Sequence, residues 1–192
     1  NRDLIAGVFR NYGTELRLLS RYKIKGTSGV FLLGTKFYKS RNTAKQGPGS
    51  IGIDADFDFE YERYPDYPNQ SDFTFPNLNF SLFGENIFFI SEKFAVTPGF
   101  RFEHIFTESE GVYSEVLFDI AQNPISNVDQ IDDRSFNRSF MLFGLGLSYT
   151  TGPKAEGYAN ISQNYRSVTF SDIRTVSPTF IVDPDITDEQ GY

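Results

Sequence analysis

The sequence of 192 residues contains no cysteine, no tryptophan, one histidine and one methionine. Without cysteine the chain forms no disulfide and no thiolate metal site. A Ser–His–acid catalytic triad would have to use the one histidine, His104, and no nucleophile motif accompanies it. The sequence also lacks a GxxxxGK(S/T) phosphate-binding loop and an HExxH zinc motif. We therefore expect neither an enzyme nor a bound metal or cofactor.

Two further absences concern membranes and partners. No segment approaches the roughly 18 apolar residues of a transmembrane helix, which excludes α-helical spanning but does not bear on a β-barrel. Basic residues are outnumbered, with 18 Lys and Arg against 25 Asp and Glu, so the formal net charge is −7. Because non-specific nucleic-acid binding needs a basic surface, we expect no nucleic-acid partner.

Aromatic residues are abundant, with 21 Phe and 11 Tyr, and the 16 Gly and nine Pro are typical of a turn-rich β protein. Apolar and polar residues alternate most clearly in Ser139–Arg166, where two alternating runs flank a break at 151–156. The first run places on one face Met141, Phe143, Leu145, Leu147 and Tyr149. Since successive strand side chains point to opposite faces, this stretch predicts a β-hairpin with one apolar and one small or polar face.

The same alternation predicts an all-β fold of about six antiparallel strands. The predicted strands cover about residues 14–24, 29–39, 77–90, 95–106, 139–150 and 157–166. Short turns alternate along the chain with long irregular segments at about residues 40–76, 107–137 and 167–192. Strict alternation places all the short turns at one end of the sheet, as in outer-membrane barrels, whereas connections in soluble domains are mostly about 4–6 residues long.

Strand length supports the same interpretation, because the predicted strands reach the roughly 9–11 residues that cross a membrane when tilted. A soluble β-sandwich, with its apolar face inward, remains the alternative. Six strands cannot close a pore-sized barrel and would leave two edges without partners, so we expect a fragment of a larger barrel.

Two local features of the predicted strands stay open. The register of the third strand beyond Gly84 is uncertain from the sequence, because Asn86 would then fall on the apolar face. Tyrosines near predicted strand ends fit both an aromatic girdle and the ordinary enrichment of tyrosine in strands; they are Tyr22, Tyr38, Tyr149 and Tyr165.

Several phrases resemble TonB-dependent outer-membrane receptors. The segment 82–86 followed by 96–103 resembles a barrel hairpin of that family, as do 144–149 and 158–166. The segments Phe170–Arg174 and Val182–Asp185, with the closing Glu189–Gly191, are similar to a loop and strand start of the ferric citrate (iron dicitrate) branch.

This resemblance implies a roughly 22-stranded transmembrane β-barrel in the outer membrane of a Gram-negative bacterium, filled by an N-terminal plug domain that is not included in this chain. It also implies uptake of an iron chelate, ferric citrate or another siderophore, driven through TonB without covalent chemistry. The implied partners are the lipid bilayer, the receptor's own plug and the TonB complex. A plug-less porin or structural barrel is the alternative from a different functional class.

Charged residues of the polar strand faces are the candidates for contact with the plug. Charged hydrogen bonds that exchange during transport could join the plug to Arg17, Arg21, Arg101 and Glu103. A hydrated wall, which needs only to be polar, explains the same residues.

Arginines near the long segments are the candidates for ligand binding, because planar guanidinium groups suit the carboxylates of citrate. Arg138 and Arg166 fall on the polar face at strand ends, and Arg41 and Arg174 are expected in the adjoining loops. The long segments are acidic, which repels a polyanion at long range and keeps a neutral or cationic chelate open.

An acidic run, Asp54-x-Asp56-x-Asp58, has the spacing at which an EF-hand calcium loop begins. An EF-hand needs Gly at the sixth position and Glu at the twelfth, where this sequence has Phe59 and Pro65. The run is therefore no EF-hand. A looser cation site and the wet face of a loop strand remain as its two interpretations.

Overall fold

A computed structural model describes residues 2–53, 56–152, 155–168 and 186–191. These residues form β-strands, turns and irregular connections, and none of their segments is a helix long and apolar enough to cross a membrane. The strands are β1 (Asp3–Val8), β2 (Asn11–Ile24), β3 (Thr27–Pro48), β4 (Ser71–Phe89), β5 (Phe94–Phe118), β6 (Pro124–Ile131), β7 (Arg134–Gly152), β8 (Ala155–Ser162), β9 (Asn164–Arg166) and β10 (Glu189–Gly191).

One antiparallel sheet holds eight of these strands, in which β3, β4, β5, β7 and β8 are successive neighbours. Both β1 and β2 pair with β3, β2 along its first half and β1 along its end. In the same way β7 and β6 share β5. β9 and β10 form a separate two-stranded sheet. The path β2–β3–β4–β5–β7–β8 contains the six predicted strands, and the all-β antiparallel fold is confirmed.

The strand registers place the alternating residues of all these strands on two opposite faces. One row across the sheet joins Leu18, Leu33, Gly84, Phe100 and Phe143. We call its side the apolar face. The adjacent row, on the other side, which we call the polar face, joins Arg17, Gly34, Phe83, Arg101 and Leu142.

The two faces are buried in the opposite sense from a soluble protein. On the apolar face Leu16 is 71% exposed, Phe143 58% and Ile161 63%. On the polar face, by contrast, Ser81 and Glu103 are buried. Since no second sheet of the described residues covers the apolar face, the soluble β-sandwich alternative is wrong for this chain.

The strands extend well beyond their predicted ends at the side of the long connections. β3 continues to Pro48, β4 begins at Ser71 and β5 continues to Phe118, so much of the segments predicted to be irregular is paired strand. β6 lies wholly inside the predicted loop at 107–137. In these extensions both faces of the strands carry mostly polar residues. The alternation of apolar and polar residues is therefore not visible in the sequence.

The register of β4 holds beyond Gly84, so Asn86 does lie on the apolar face, opposite Phe31. Its amide donates a hydrogen bond of 2.7 Å to the hydroxyl of Tyr22. The Tyr22 ring crosses Gly29, where an added Cβ would lie 2.4 Å from the ring. The Tyr22 hydroxyl therefore satisfies the amide of Asn86, and the absence of a side chain at Gly29 leaves room for the Tyr22 ring. Tyr149 shares this face, whereas Tyr38 lies on the polar face.

Candidate functional sites on the polar face

The first cluster on the polar face is an aromatic ring between two guanidinium groups. Phe83 of β4 lies 5.8 Å from the guanidinium carbon of Arg17 and 5.7 Å from that of Arg101. Arg17 and Arg101 belong to β2 and β5, with Gly34 of β3 between Arg17 and Phe83. A Cβ at Gly34 would lie 2.3 Å from the Phe83 ring, so the ring covers β3 only because that residue has no side chain.

A buried carboxylate holds one of these arginines. Glu103 is 5% exposed and accepts a hydrogen bond of 2.8 Å from the hydroxyl of Ser81, which is fully buried. Arg101 Nε donates to the other carboxylate oxygen of Glu103. On the far side of Phe83, Arg17 is paired with Glu15 in the same manner. The guanidinium of Arg101 remains partly exposed and can donate hydrogen bonds to another domain or molecule that packs on this face.

We name Arg17, Phe83, Arg101, Glu103 and Ser81 the arginine row. The structure thus brings together three of the four residues predicted to contact the plug. The fourth, Arg21, lies on the same face but four residues further along β2, opposite Val30. This separation is about 13 Å along the strand, so Arg21 is not part of the arginine row.

A second cluster lies nearer the long connections and centres on Arg138 of β7. Its Nη1 donates to Asp188 at 2.9 Å, and its Nη2 donates to the hydroxyl of Thr107 at 2.6 Å. Thr107 also accepts a hydrogen bond from Asn77 of β4. The Arg138 side chain is only 11% exposed. Arg138 therefore connects the segment that contains Asp188 to the strands β4, β5 and β7 of the large sheet.

Asp188 accepts three different donors in this second cluster. Besides Arg138 it accepts the backbone N–H of Val168 at 2.9 Å and the hydroxyl of Tyr165. Burial alone raises the pKa of Asp188, but the hydrogen bonds from Tyr165, Val168 and Arg138 together hold that pKa below its ordinary value of 3.8. The carboxylate is consequently ionised at neutral pH. We name this set the Asp188 latch.

Comparison with known proteins agrees with this architecture. No protein-family model and no curated protein matches the chain. Among solved structures, the ferric-catecholate import receptor Fiu from E. coli K12 matches with a TM-score of 0.65 over 84% of this chain, at 13% identity. The ferric yersiniabactin uptake receptor FyuA from Yersinia pestis matches with a TM-score of 0.57 over 85% of the chain, at 15% identity.

The fold is that of a segment of a TonB-dependent receptor barrel. The chain covers 24% of the Fiu chain and 22% of the FyuA chain, so it spans about a quarter of each. Both of these proteins are transport receptors by name, and neither is described as an enzyme.

On this barrel segment the three predicted ligand arginines that the structure describes have different surroundings. Arg138 is engaged in the Asp188 latch, and Arg166 pairs at 3.3 Å with Glu189 at an exposed edge. The prediction that Arg41 lies in a loop is wrong: it lies in β3 and on the apolar face, because β3 continues past the predicted strand end. Arg174 lies outside the described residues, so its placement remains a prediction.

The acidic run shows no cation site in the part of the chain that the structure describes. Asp56 accepts a hydrogen bond from Ser50 at 2.7 Å and lies 3.4 Å from Arg2, and these contacts lower its pKa, the hydrogen bond from Ser50 most of all. Asp54 is outside the described residues. Within the described ranges no group of three or more His, Asp or Glu side chains could hold a metal ion.

His104 lies on the apolar face as predicted, beside Phe102 and Phe106 on β5. Its Nδ1 is 2.8 Å from the hydroxyl of Ser139, its cross-strand neighbour on β7. Among the described hydrogen bonds none joins His104 to a carboxylate, which a Ser–His–acid triad requires.

The sequence analysis missed Ser81 and Phe83 in the arginine row, and Thr107 and Asp188 in the latch. Phe83 carried a signal, because a large aromatic on the polar face of a strand needs a small residue beside it. The signal could be interpreted only with the register that places Gly34 opposite Phe83. Asp188 carried no such signal, because it is fifty residues from Arg138 in the sequence and no local pattern brings the two together.

Proposed function

We propose that this chain forms part of the wall of an outer-membrane receptor that takes up an iron chelate with energy supplied through TonB. The observation that carries the proposal is an exposed apolar face, opposite a face on which Ser81 and Glu103 are buried, in a sheet whose structural neighbours are named as receptors for ferric chelates. The apolar face contacts lipid and the polar face lines the barrel interior. The plug domain and the segment that contacts TonB belong to parts of the receptor outside this chain.

The height of the apolar face fits a Gram-negative outer membrane. On β4 its residues run from Leu78 to Phe88, about 33 Å along the strand. At a strand tilt of about 40° this corresponds to about 25 Å along the membrane normal, which equals the apolar band of outer-membrane barrels. The turn at Lys25–Gly26 has positive φ at both residues, as in a tight type I′ hairpin, and lies at the periplasmic end.

In this receptor the arginine row contacts the plug. Glu103 and Ser81 fix Arg101 in the wall, and the exposed part of its guanidinium is directed to the barrel interior. Arginine N–H groups form charge-assisted hydrogen bonds that can be exchanged between acceptors when the plug rearranges. Arg17 supplies the second guanidinium, and Arg21 offers a separate contact nearer the periplasm.

Ferric citrate is the chelate that we propose to test first. Its support is the resemblance of the last segment to the ferric citrate branch, together with guanidinium groups near the outer end of the barrel. The two structural neighbours are named for other chelates, a ferric catecholate and ferric yersiniabactin. Among the described candidates on the polar face, Arg166 is exposed enough to meet a ligand directly.

The test uses the full-length receptor that carries this segment, purified in detergent. It is titrated separately with iron-loaded citrate, a ferric catecholate and iron-free citrate, and the heat of binding is measured. We expect saturable binding of one iron chelate and no response to iron-free citrate. Binding of another chelate, without binding of ferric citrate, rejects ferric citrate as the ligand and leaves the receptor proposal in place.

A full-length protein without a plug, which binds no chelate and lets small solutes leak through liposomes, would instead be a porin. That result rejects the receptor proposal as a whole.

A further inference from the structure

The apolar face of β2 and β3 ends at an aromatic pair followed by three cations. Tyr12 and Phe37 have ring centroids 6.5 Å apart and close the apolar face toward the long connections. Lys39 follows Phe37 on the same face of β3 and lies opposite Tyr12. The backbone N–H of Arg41 donates to the carbonyl of Arg10 at 2.8 Å, so these two residues also face each other. We name Arg10, Lys39 and Arg41 the outer cation patch.

These three side chains are exposed, and among the described residues none of them is paired with a carboxylate. The next cation along the same face of β3, Lys45, differs because it lies 2.6 Å from Asp72. By register the acid nearest to Arg41 on this face is Glu108, two strands away and about 10 Å distant. Three uncompensated positive charges are thus gathered on a chain whose net charge is −7.

The level of the patch identifies its partner. If the apolar face contacts the hydrocarbon, residues that lie beside Tyr12 and beyond Phe37 are among the headgroups of the outer leaflet. Phosphate is the anionic group that headgroups offer there, and arginine matches it with parallel N–H donors.

We infer that the outer cation patch binds the phosphate groups of an anionic lipid, whose acyl chains lie along the apolar face beside Leu16 and Phe37. The inference rests on the proposed function for its membrane orientation. It assigns these arginines to lipid, so Arg41 is a lipid contact and not a contact to the transported chelate.

The test uses the full-length receptor in a non-ionic detergent. Lipid A with both phosphates, and the same lipid A with its phosphates removed, are added in separate titrations, and bound lipid is counted by native mass spectrometry. Since each basic residue near an anionic surface contributes about 1 kcal/mol, we expect about fivefold weaker binding of the phosphorylated lipid for each of Arg10→Gln, Lys39→Gln and Arg41→Gln. The triple variant should bind about a hundredfold more weakly, and Arg41→Lys should retain most of the affinity.

The matched control is Lys36→Gln, which removes a cation from the same strand but from the polar face. We expect it to bind lipid A as the unchanged receptor does. Inorganic phosphate added in excess should not displace the lipid, because the acyl chains contribute to its binding. Displacement by phosphate would reduce the patch to a site for a free anion and overturn the inference.

Chelate binding, measured on the same samples, separates the two proposals. Equal lipid binding by the triple variant and the unchanged receptor, with chelate binding intact, rejects the lipid site and leaves the receptor function in place. If the unchanged protein binds none of the chelates, the receptor function itself is rejected.

Discussion

Gly34 makes the arginine row possible, because the Phe83 ring occupies the space that a side chain on β3 would need. A methyl group there would meet the ring at 2.3 Å, much closer than van der Waals contact. If the ring moves, the two guanidinium groups that flank it lose their shared aromatic surface, and each such contact is worth about 0.5–1 kcal/mol when exposed. A single missing side chain therefore sets the positions of Arg17 and Arg101.

Gly34→Ala should consequently lower the stability of the full-length protein by about 1–3 kcal/mol, the usual cost of overpacking. Gly146→Ala is the control, because a Cβ at Gly146 meets its nearest atom, in Thr97, at an ordinary 3.5 Å. Unfolding free energies from denaturant titration in detergent compare the two variants. Equal stability of Gly34→Ala and Gly146→Ala would show that Phe83 does not depend on Gly34.

Ser81 has a comparable role beneath the ion pair of Arg101 and Glu103. Its hydroxyl donates to the buried carboxylate of Glu103, so Ser81→Ala removes a donor and leaves the charge in place. An unsatisfied buried acceptor costs about 1–3 kcal/mol, more when charged. We expect a lower free energy of unfolding by at least that amount, measured as above.

Ser148→Ala, on the same face of β7, serves as the control for Ser81→Ala. Within the described residues the Ser148 hydroxyl has no hydrogen-bond partner that its loss would leave unsatisfied. A stability change of the same size in both variants would contradict the assigned role of Ser81.

At the scale of strands, the sequence was sufficient wherever an apolar face alternates with a polar one. The six strands of the wall, their antiparallel order and the faces of Leu145 and Arg101 all follow from a period of two. The extensions of β3, β4 and β5 do not, because both faces of these ribbons are largely polar. The few apolar residues that stabilise them, such as Phe73 and Val116, are buried by pairings between distant segments and leave no local pattern.

The partners of Arg138 could not be predicted for a related reason. Polar-face parity and a strand-end position suggested an arginine open to a ligand. The structure instead pairs Arg138 with Asp188, fifty residues later in the sequence. Only the register that places Arg138 near Thr107, and the return of the chain at Val168 and Asp188, show that its guanidinium is already engaged.

The Asp188 latch should open in acid. Its hydrogen bonds hold the pKa of Asp188 below the ordinary value of 3.8. A carboxyl group with a lowered pKa in the folded state contributes stability above its unfolded pKa, and this contribution is lost as the pH falls through the folded value. We expect the backbone N–H of Val168, which donates to Asp188, to be protected from hydrogen exchange at neutral pH and to lose protection below about pH 4.

Asp188→Asn should weaken that protection at neutral pH and remove most of its dependence on acid. Glu189→Gln is the control, because Glu189 is exposed and its pair with Arg166 contributes little. If Val168 exchanges at the same rate in Asp188→Asn and in the unchanged protein, Asp188 does not hold this segment.

For the whole molecule, the decisive property is that its hydrophobic residues face outward. A water-soluble sheet would expose its charged residues and bury its phenylalanines, whereas here Glu103 is buried and Phe143 is 58% exposed. Such a surface is stable only against an apolar medium or another protein, and its height of about 25 Å equals that of the apolar band of outer-membrane barrels.

Two adjacent leucines in the middle of β3 test this directly. Leu33 lies on the apolar face, and Leu32 lies on the polar face opposite Glu85. An arginine facing lipid near the middle of the bilayer costs about 2–4 kcal/mol, whereas one facing the interior is solvated. Leu33→Arg should therefore lower the free energy of unfolding of the full-length protein in lipid vesicles by that amount. Leu32→Arg should change it little, because its guanidinium can pair with Glu85. The opposite ranking would place lipid on the charged side of the sheet, and the receptor interpretation would have to be abandoned together with the assignment of its interior.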